Sequence, residues 1–193
     1  MRRVRVMLHA CCGPCLLEPF DALLAAHEVT VVYANPNIHP AEEYERRRDT
    51  LLAYARERGI EVVEIPYAQE VWAEAVRGVE ADRDARCRAC FRLRLGMVAR
   101  LAAEQGYEAV ATTLTVSPYQ DPAAIADAGE AVCAEAGVVW LAGDFREHYP
   151  EAIRRSRELG MYRQGYCGCS FSIAEAEQDR ARRRAERSAN ERR

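Results

Sequence analysis

The stretch "VRVMLHACCGPC", residues 4–15, decides the fold. Its first half is a short apolar run ending at His9; its second half turns through Gly13-Pro14, with Pro placed where a helix begins. A buried strand hands over directly to a helix spanning roughly residues 14–26. Three thiols, Cys11, Cys12 and Cys15, fall at that junction. Basic residues ahead of a short apolar run also raise the question of a secretory signal. Here the apolar residues alternate with Arg and run into cysteines instead of a small-residue cleavage site, so the stretch reads as the first strand of a cytoplasmic protein.

The pattern repeats downstream. "EVTVVYAN" (28–35) is a second strand, closed by the turn-forming "NPNIHP" (35–40). "AEEYERRRDTLLAYARERG" (41–59) is an amphipathic helix with Gly59 as its stop. "IEVVEIPY" (60–67) gives strand three, followed by a short helix over about 68–76. The polar "GVEADRDARCRAC" (78–90) opens a helix that continues through "FRLRLGMVARLAAEQG" (91–106). "YEAVATTLT" (107–115) is strand four, "DPAAIADAGEAVCAEAG" (121–137) a helix and "VVWLAGD" (138–144) strand five. From Phe145 onward the chain reads as helical apart from "YRQGYCGCS" (162–170).

Strands alternating with helices predict an α/β fold with one doubly wound, Rossmann-like parallel sheet of five strands and C-terminal helices. With the common order 3-2-1-4-5, strands one and four meet at the topological switch point, where such sheets bind ligands beyond the strands' carboxyl ends. The loops "CCGPC" and "TVSPYQD" (115–121) and the turn at Asp144 would converge there. The expected organisation is an α/β domain over 1–175 and an Arg-rich helical tail over 176–193.

A chain of 193 residues suits one domain. At 49% hydrophobic and 30% charged it has the balance of a folded protein, and no apolar run approaches the roughly 20 residues that span a bilayer. Every basic residue is Arg, so lysine Schiff-base chemistry is excluded. Net charge is −3, but the last sixteen residues hold seven Arg against three acids. That tail is either a solvated helix or a phosphate contact.

The eight cysteines fall into Cys11, Cys12 and Cys15; Cys87 and Cys90; Cys167 and Cys169; and Cys133 alone in an Ala-rich helix, where it reads as an apolar core residue. In a cytosolic α/β chain, clustered thiols point to metal or redox chemistry. Cys87-x-x-Cys90 presents two thiols near a helix start, where N–H groups would lower their pKa. Adjacent Cys11 and Cys12 would strain as a disulfide and serve more easily as thiolates. Four soft thiolates from two segments suit an iron–sulfur cluster better than a knuckle-type zinc. Cys167-Gly-Cys169 is either an exchangeable disulfide or two more metal ligands. Tyr119, Gln120, Arg163 and Gln164 either cap and coat loops or bind a flipped-out base. His9 reads as a buried residue, and His39 as one that fixes the shape of its turn.

"HACCGPC", "NPNIHPAEEYERR", "RCRACFRLRL", "TTLTVSPYQD" and "GDFRE" followed by "MYRQGYCGC" resemble the signature segments of the cobalamin-independent epoxyqueuosine reductases, the QueH family, over residues 4 to about 172. The resemblance implies two-electron reduction of epoxyqueuosine to queuosine at the tRNA wobble position. It implies a [4Fe–4S] cluster on Cys11, Cys12, Cys87 and Cys90, and a redox-active pair at Cys167 and Cys169. Cys15, with Asp144, is left as a candidate for a second mononuclear metal ion. Substrate contacts are expected from Tyr119, Gln120 and Arg163, with a low-potential electron donor as partner. Two alternatives stand beside this reading: a zinc-stabilised RNA-binding module and an ATP-using tRNA thiolation enzyme. The latter needs a Gly-Gly-containing pyrophosphate loop after strand one, and "HACCGPC" occupies that place.

Overall fold

The computed structural model describes residues 3–190, so Arg192 and Arg193 of the expected tail lie outside the described residues. Along the chain run β1 (Val4–His9), α1 (Gly13–Leu24), β2 (His27–Tyr33), α2 (Ala41–Arg58), β3 (Val62–Glu64), α3 (Gln69–Ala75), α4 (Arg83–Glu104), β4 (Ala109–Thr112), α5 (Pro122–Ala136), β5 (Val139–Trp140), α6 (Tyr149–Glu158) and α7 (Ser170–Asn190). The strands form one sheet in the order β3-β2-β1-β4-β5, all neighbours parallel, as the sequence predicts. β1 is central, with Val6 in register with Val29 on one side and Ala109 on the other.

Successive residues on each inner strand serve opposite faces, which is why apolar residues run consecutively through their middles, as in Val6-Met7-Leu8. Val6 and Leu8 of β1, Val31 and Tyr33 of β2, and Ala109 and Ala111 of β4 join Leu16, Leu17 and Leu51 from α1 and α2. Met7, Val32 and Val110 face the other way, against Phe91, Leu95 and Val98 of α4 and Ile125 and Val132 of α5. Cys133 is 1% exposed within this second core, as expected for an apolar role. Burial also pushes its thiol up to about 11, so it stays protonated at neutral pH.

The sheet edges are shorter than the apolar runs. β5 ends at Trp140, after which the Leu141 amide still bonds to Val110 O. An edge strand has one partner, so fewer backbone bonds hold it to the sheet. Gly59 closes α2 in the left-handed conformation, at φ 63°. The expected boundary at 175/176 falls inside α7, which is continuous from Ser170 to Asn190. Among the described residues no helix is long and apolar enough to cross a membrane.

Candidate metal centre

Beyond the carboxyl ends of β1 and β4 opens a cavity of about 610 Å³. Cys11, Cys15, Cys87, Cys167 and Cys169 line it, while Cys12 and Cys90 are 1% and 7% exposed. All are free thiols. The β1 loop, the N-terminal half of α4 and the loop before α7 meet at the switch point between β1 and β4.

The β1 loop is fixed by bonds to β4. The Cys11 amide donates to Thr113 Oγ1 at 3.2 Å, and that hydroxyl reaches back to Cys11 Sγ at 3.5 Å. His9 is fully buried, with Nδ1 2.9 Å from Thr112 Oγ1 and Nε2 3.2 Å from the Ala34 carbonyl. Desolvation, helped by the charge of Arg94, drops its pKa to about 3, so the ring is neutral, a satisfied core histidine and not a ligand. Cys12 is the extended residue immediately before α1, and the helix that follows carries Cys15 back over it. The three sulfurs lie within 4.8 Å of one another, a spacing that can hold a metal ion. The thiols of Cys12 and Cys15 favour the Cys11 thiolate and hold its pKa well below normal, with Arg94 adding to the effect. That charge in turn raises Cys12 to about 12 and pushes Cys15 up.

Cys87 and Cys90 form a second sulfur group with Cys167 and Cys169, whose charges disfavour the thiolates of Cys87 and Cys90. One sequence expectation fails here. α4 starts at Arg83, its first amides capped by Asp82, so the thiols sit beyond the first turn and away from the free N–H groups. Burial therefore dominates, pushing Cys87 up to about 12 and Cys90 up to about 11. Trp72 packs with Cys90 and Cys169, and its indole favours the Cys90 thiolate.

The Cys167-Gly-Cys169 loop is held by a segment more than a hundred residues away. Arg47, 2% exposed and paired with Glu43 at 2.7 Å, donates to the carbonyls of Cys167 (2.9 Å) and Tyr166 (3.2 Å). The His39 amide donates to Gly168 O at 2.8 Å, and Tyr166 Oη donates to His39 O, so the backbone before α2 holds the loop, while the His39 ring places Nδ1 3.1 Å from Gln69 Nε2. Gly168 has φ 135°, and a Cβ there would stand 3.1 Å from both Arg47 and Ile38 and 3.2 Å from Asn37. Only glycine combines that conformation with that approach.

The expected substrate residues divide. Tyr119 is 56% exposed, edge-on to Tyr149 at 6.3 Å and under the Arg183 guanidinium at 4.7 Å. Arg163 lines the same cavity. Gln120 and Gln164 are turned to sulfur instead, their Nε2 groups 3.4 Å from Cys167 and 2.9 Å from Cys12. Asp144 is not among the cavity-lining residues; Arg146 holds both of its carboxylate oxygens and keeps its pKa below the usual range. The sequence reading missed Arg47 and Arg94, two buried guanidiniums beside the thiols.

A doubly wound sheet with seven free thiols at its switch point, beneath an aromatic and arginine-rich rim, defines an α/β protein whose thiol cluster could hold a metal ion. The family model for epoxyqueuosine reductase QueH matches residues 6–175, and the chain belongs to that family. It is 36% identical over 169 residues to epoxyqueuosine reductase QueH of Dehalococcoides mccartyi, covering 87% of this chain and 92% of that one. The Thermotoga maritima relative of the same name is 33% identical over 183 residues, covering 91% and 94%, and the Streptococcus pyogenes one 32% over 180, covering 88% and 71%. Neither the RNA-binding module nor the ATP-using thiolation enzyme finds support in these matches.

Replacing Gly168 by Ala should cost about 1–3 kcal/mol of stability through backbone strain and loosen the loop. The rate at which Cys169 is alkylated in metal-free, reduced protein reads this directly. The expected result is a faster reaction than in wild type, with Cys133 unaffected; an unchanged Cys169 rate would mean the loop does not need the glycine.

Proposed function

We propose that the protein reduces epoxyqueuosine to queuosine at the wobble position of tRNA, the last step of queuosine biosynthesis. The observation that carries this reading is family membership over residues 6–175 in a chain whose switch point gathers seven free thiols. The donor set fits an iron–sulfur centre: soft sulfurs from separate segments, buried at Cys12, Cys90 and Cys169 and half-buried at Cys11, Cys15 and Cys87, none tied up in a disulfide. Cys11, Cys12, Cys87 and Cys90 would hold a [4Fe–4S] cluster. Cys15, with its sulfur within 4.8 Å of those of Cys11 and Cys12, is available to a second mononuclear ion. Asp144 is a weaker candidate for that ion, because it would have to leave Arg146.

When bound, the cluster supplies electron transfer and a Lewis-acidic iron at the crevice. The chain supplies the rest. Removing an epoxide oxygen as water consumes two electrons and two protons, which is what Cys167 and Cys169 release on closing to a disulfide. A low-potential donor then returns the pair to thiols. Gln120 donates to Cys167 Sγ, and Arg47 fixes the backbone that carries it. Tyr119, Tyr149, Arg163 and Arg183 rim the cavity, with ring faces for an unstacked base and cations for its phosphates. We place this activity in the cytoplasm, where tRNA and thiol-reducing conditions coincide.

Three variants test the assignment through iron per chain and conversion of epoxyqueuosine in tRNA with a supplied low-potential reductant. Cys90→Ala should lose most of the iron, Cys133→Ala should keep iron and activity, and Cys167→Ser should keep iron but lose turnover. Full iron and full turnover in Cys167→Ser would reduce the loop to a structural element. Bleaching by Cys133→Ala would overturn the ligand set.

The arginines of α7 supply a separate test. Arg180 donates to Gly165 O and Arg183 covers Tyr119, so this helix reaches the cavity rim. Deleting residues 180–193 should weaken tRNA binding and flatten its dependence on salt, because fewer counterions are released. An unchanged slope would return the tail to the role of a solvated helix.

A further inference from the structure

Arg94 is 2% exposed, yet among the described residues no carboxylate pairs with it. Its Nη2 donates to Asn35 Oδ1, and its Nε has no partner. Three of the four acids of the cavity wall are engaged by other arginines: Glu175 by Arg86 and Arg83, Asp179 by Arg83 and Arg182, and Asp121 by Arg88. A buried cation without an anion is strongly unfavourable unless something supplies the opposite charge. Arg94 lines the cavity together with Cys11, Cys15, Cys87, Cys167 and Cys169, so sulfur from three segments shares its wall. Its anchor is part of the same construction. Asn35 donates through Nδ2 to Ala10 O at 2.9 Å, the peptide immediately before Cys11. On α4, Arg94 follows Cys87 and Cys90 at spacings that keep all three on one side of the helix.

We propose that Arg94 is the counter-charge of the metal centre, a positioning residue that stabilises its reduced form and so raises its reduction potential. The inference rests on the reading of Cys11, Cys12, Cys87 and Cys90 as cluster ligands. Four thiolates outweigh the positive charge of a cubane core, so the assembled centre is an anion, and each electron it accepts makes it more so. A fixed, desolvated cation beside it favours the electron-rich state, because low dielectric leaves their attraction poorly screened. The planar guanidinium is well suited to this role, being held by Asn35.

The test is an equilibrium redox titration of the reconstituted holoprotein with dithionite, followed by visible absorption and electron paramagnetic resonance. Iron and acid-labile sulfide per chain are measured on each sample, and circular dichroism checks the fold. Arg94→Lys keeps the charge, whereas Arg94→Gln and Arg94→Met remove it. The expected result is a potential near wild type for the Lys variant and a shift to lower potential for the other two, at equal iron content. Loss of iron from the Gln and Met variants but not from Lys would equally support the counter-charge. Unchanged potentials at full iron in the neutral variants, or an equal shift or equal iron loss in Arg94→Lys, would overturn the proposal while leaving the cluster reading intact. Wild-type protein that assembles no iron–sulfide centre would overturn both.

Discussion

The peptide from His9 to Cys15 has to end the central strand, start a helix and present three sulfurs, all within seven residues. The rest of the structure depends on how it meets that constraint. Cys12 is extended because it precedes the first helical residue, and Pro14 in the first turn needs no amide partner. The loop is then pinned from the side, through Thr113 after β4 and through Asn35 after β2. Both neighbours of β1 in the sheet therefore set the position of Cys11, and a change in strand order would release it.

The second sulfur group is built differently. α4 supplies Cys87 and Cys90 from a rigid helix, whereas Cys167 and Cys169 lie on a loop whose backbone is tied to α2 and the turn before it. Arg47 is the main tie, and its charge is already balanced by Glu43. Arg94, by contrast, has no such partner among the described residues and lines the cavity with the thiols. Two buried guanidiniums of similar exposure thus do separate work: one holds a loop in place, the other leaves positive charge among sulfurs.

Much of the fold is legible in the sequence because βα alternation on a two-faced sheet leaves few topologies, and the order 3-2-1-4-5 is the one found. The edges were less legible, since an apolar run such as residues 138–144 does not reveal where a strand loses its only partner. In the site, the cysteines announce themselves by spacing. Arg47 and Arg94 do not, because "ERRR" and "RLRL" read as solvated helix surface until the distant segments that bury them are placed. The signal available for Arg94 was its helical spacing from Cys87 and Cys90. Gln120 and Gln164 read as contacts for a base because a side-chain amide serves a base edge or a sulfur equally well; only the folded chain sets them against Cys167 and Cys12. Asp144 was drawn to the crevice by chain position alone, without regard to Arg146 two residues on.

The central claim is that these thiols assemble an iron–sulfur centre in a tRNA-reducing enzyme. The most direct measurement is quantitation of iron, zinc and acid-labile sulfide in anaerobically purified wild-type protein, together with its visible spectrum before and after dithionite. The account predicts coloured protein with iron and sulfide in comparable amounts and absorption that bleaches on reduction. Colourless protein carrying zinc and no sulfide would contradict it.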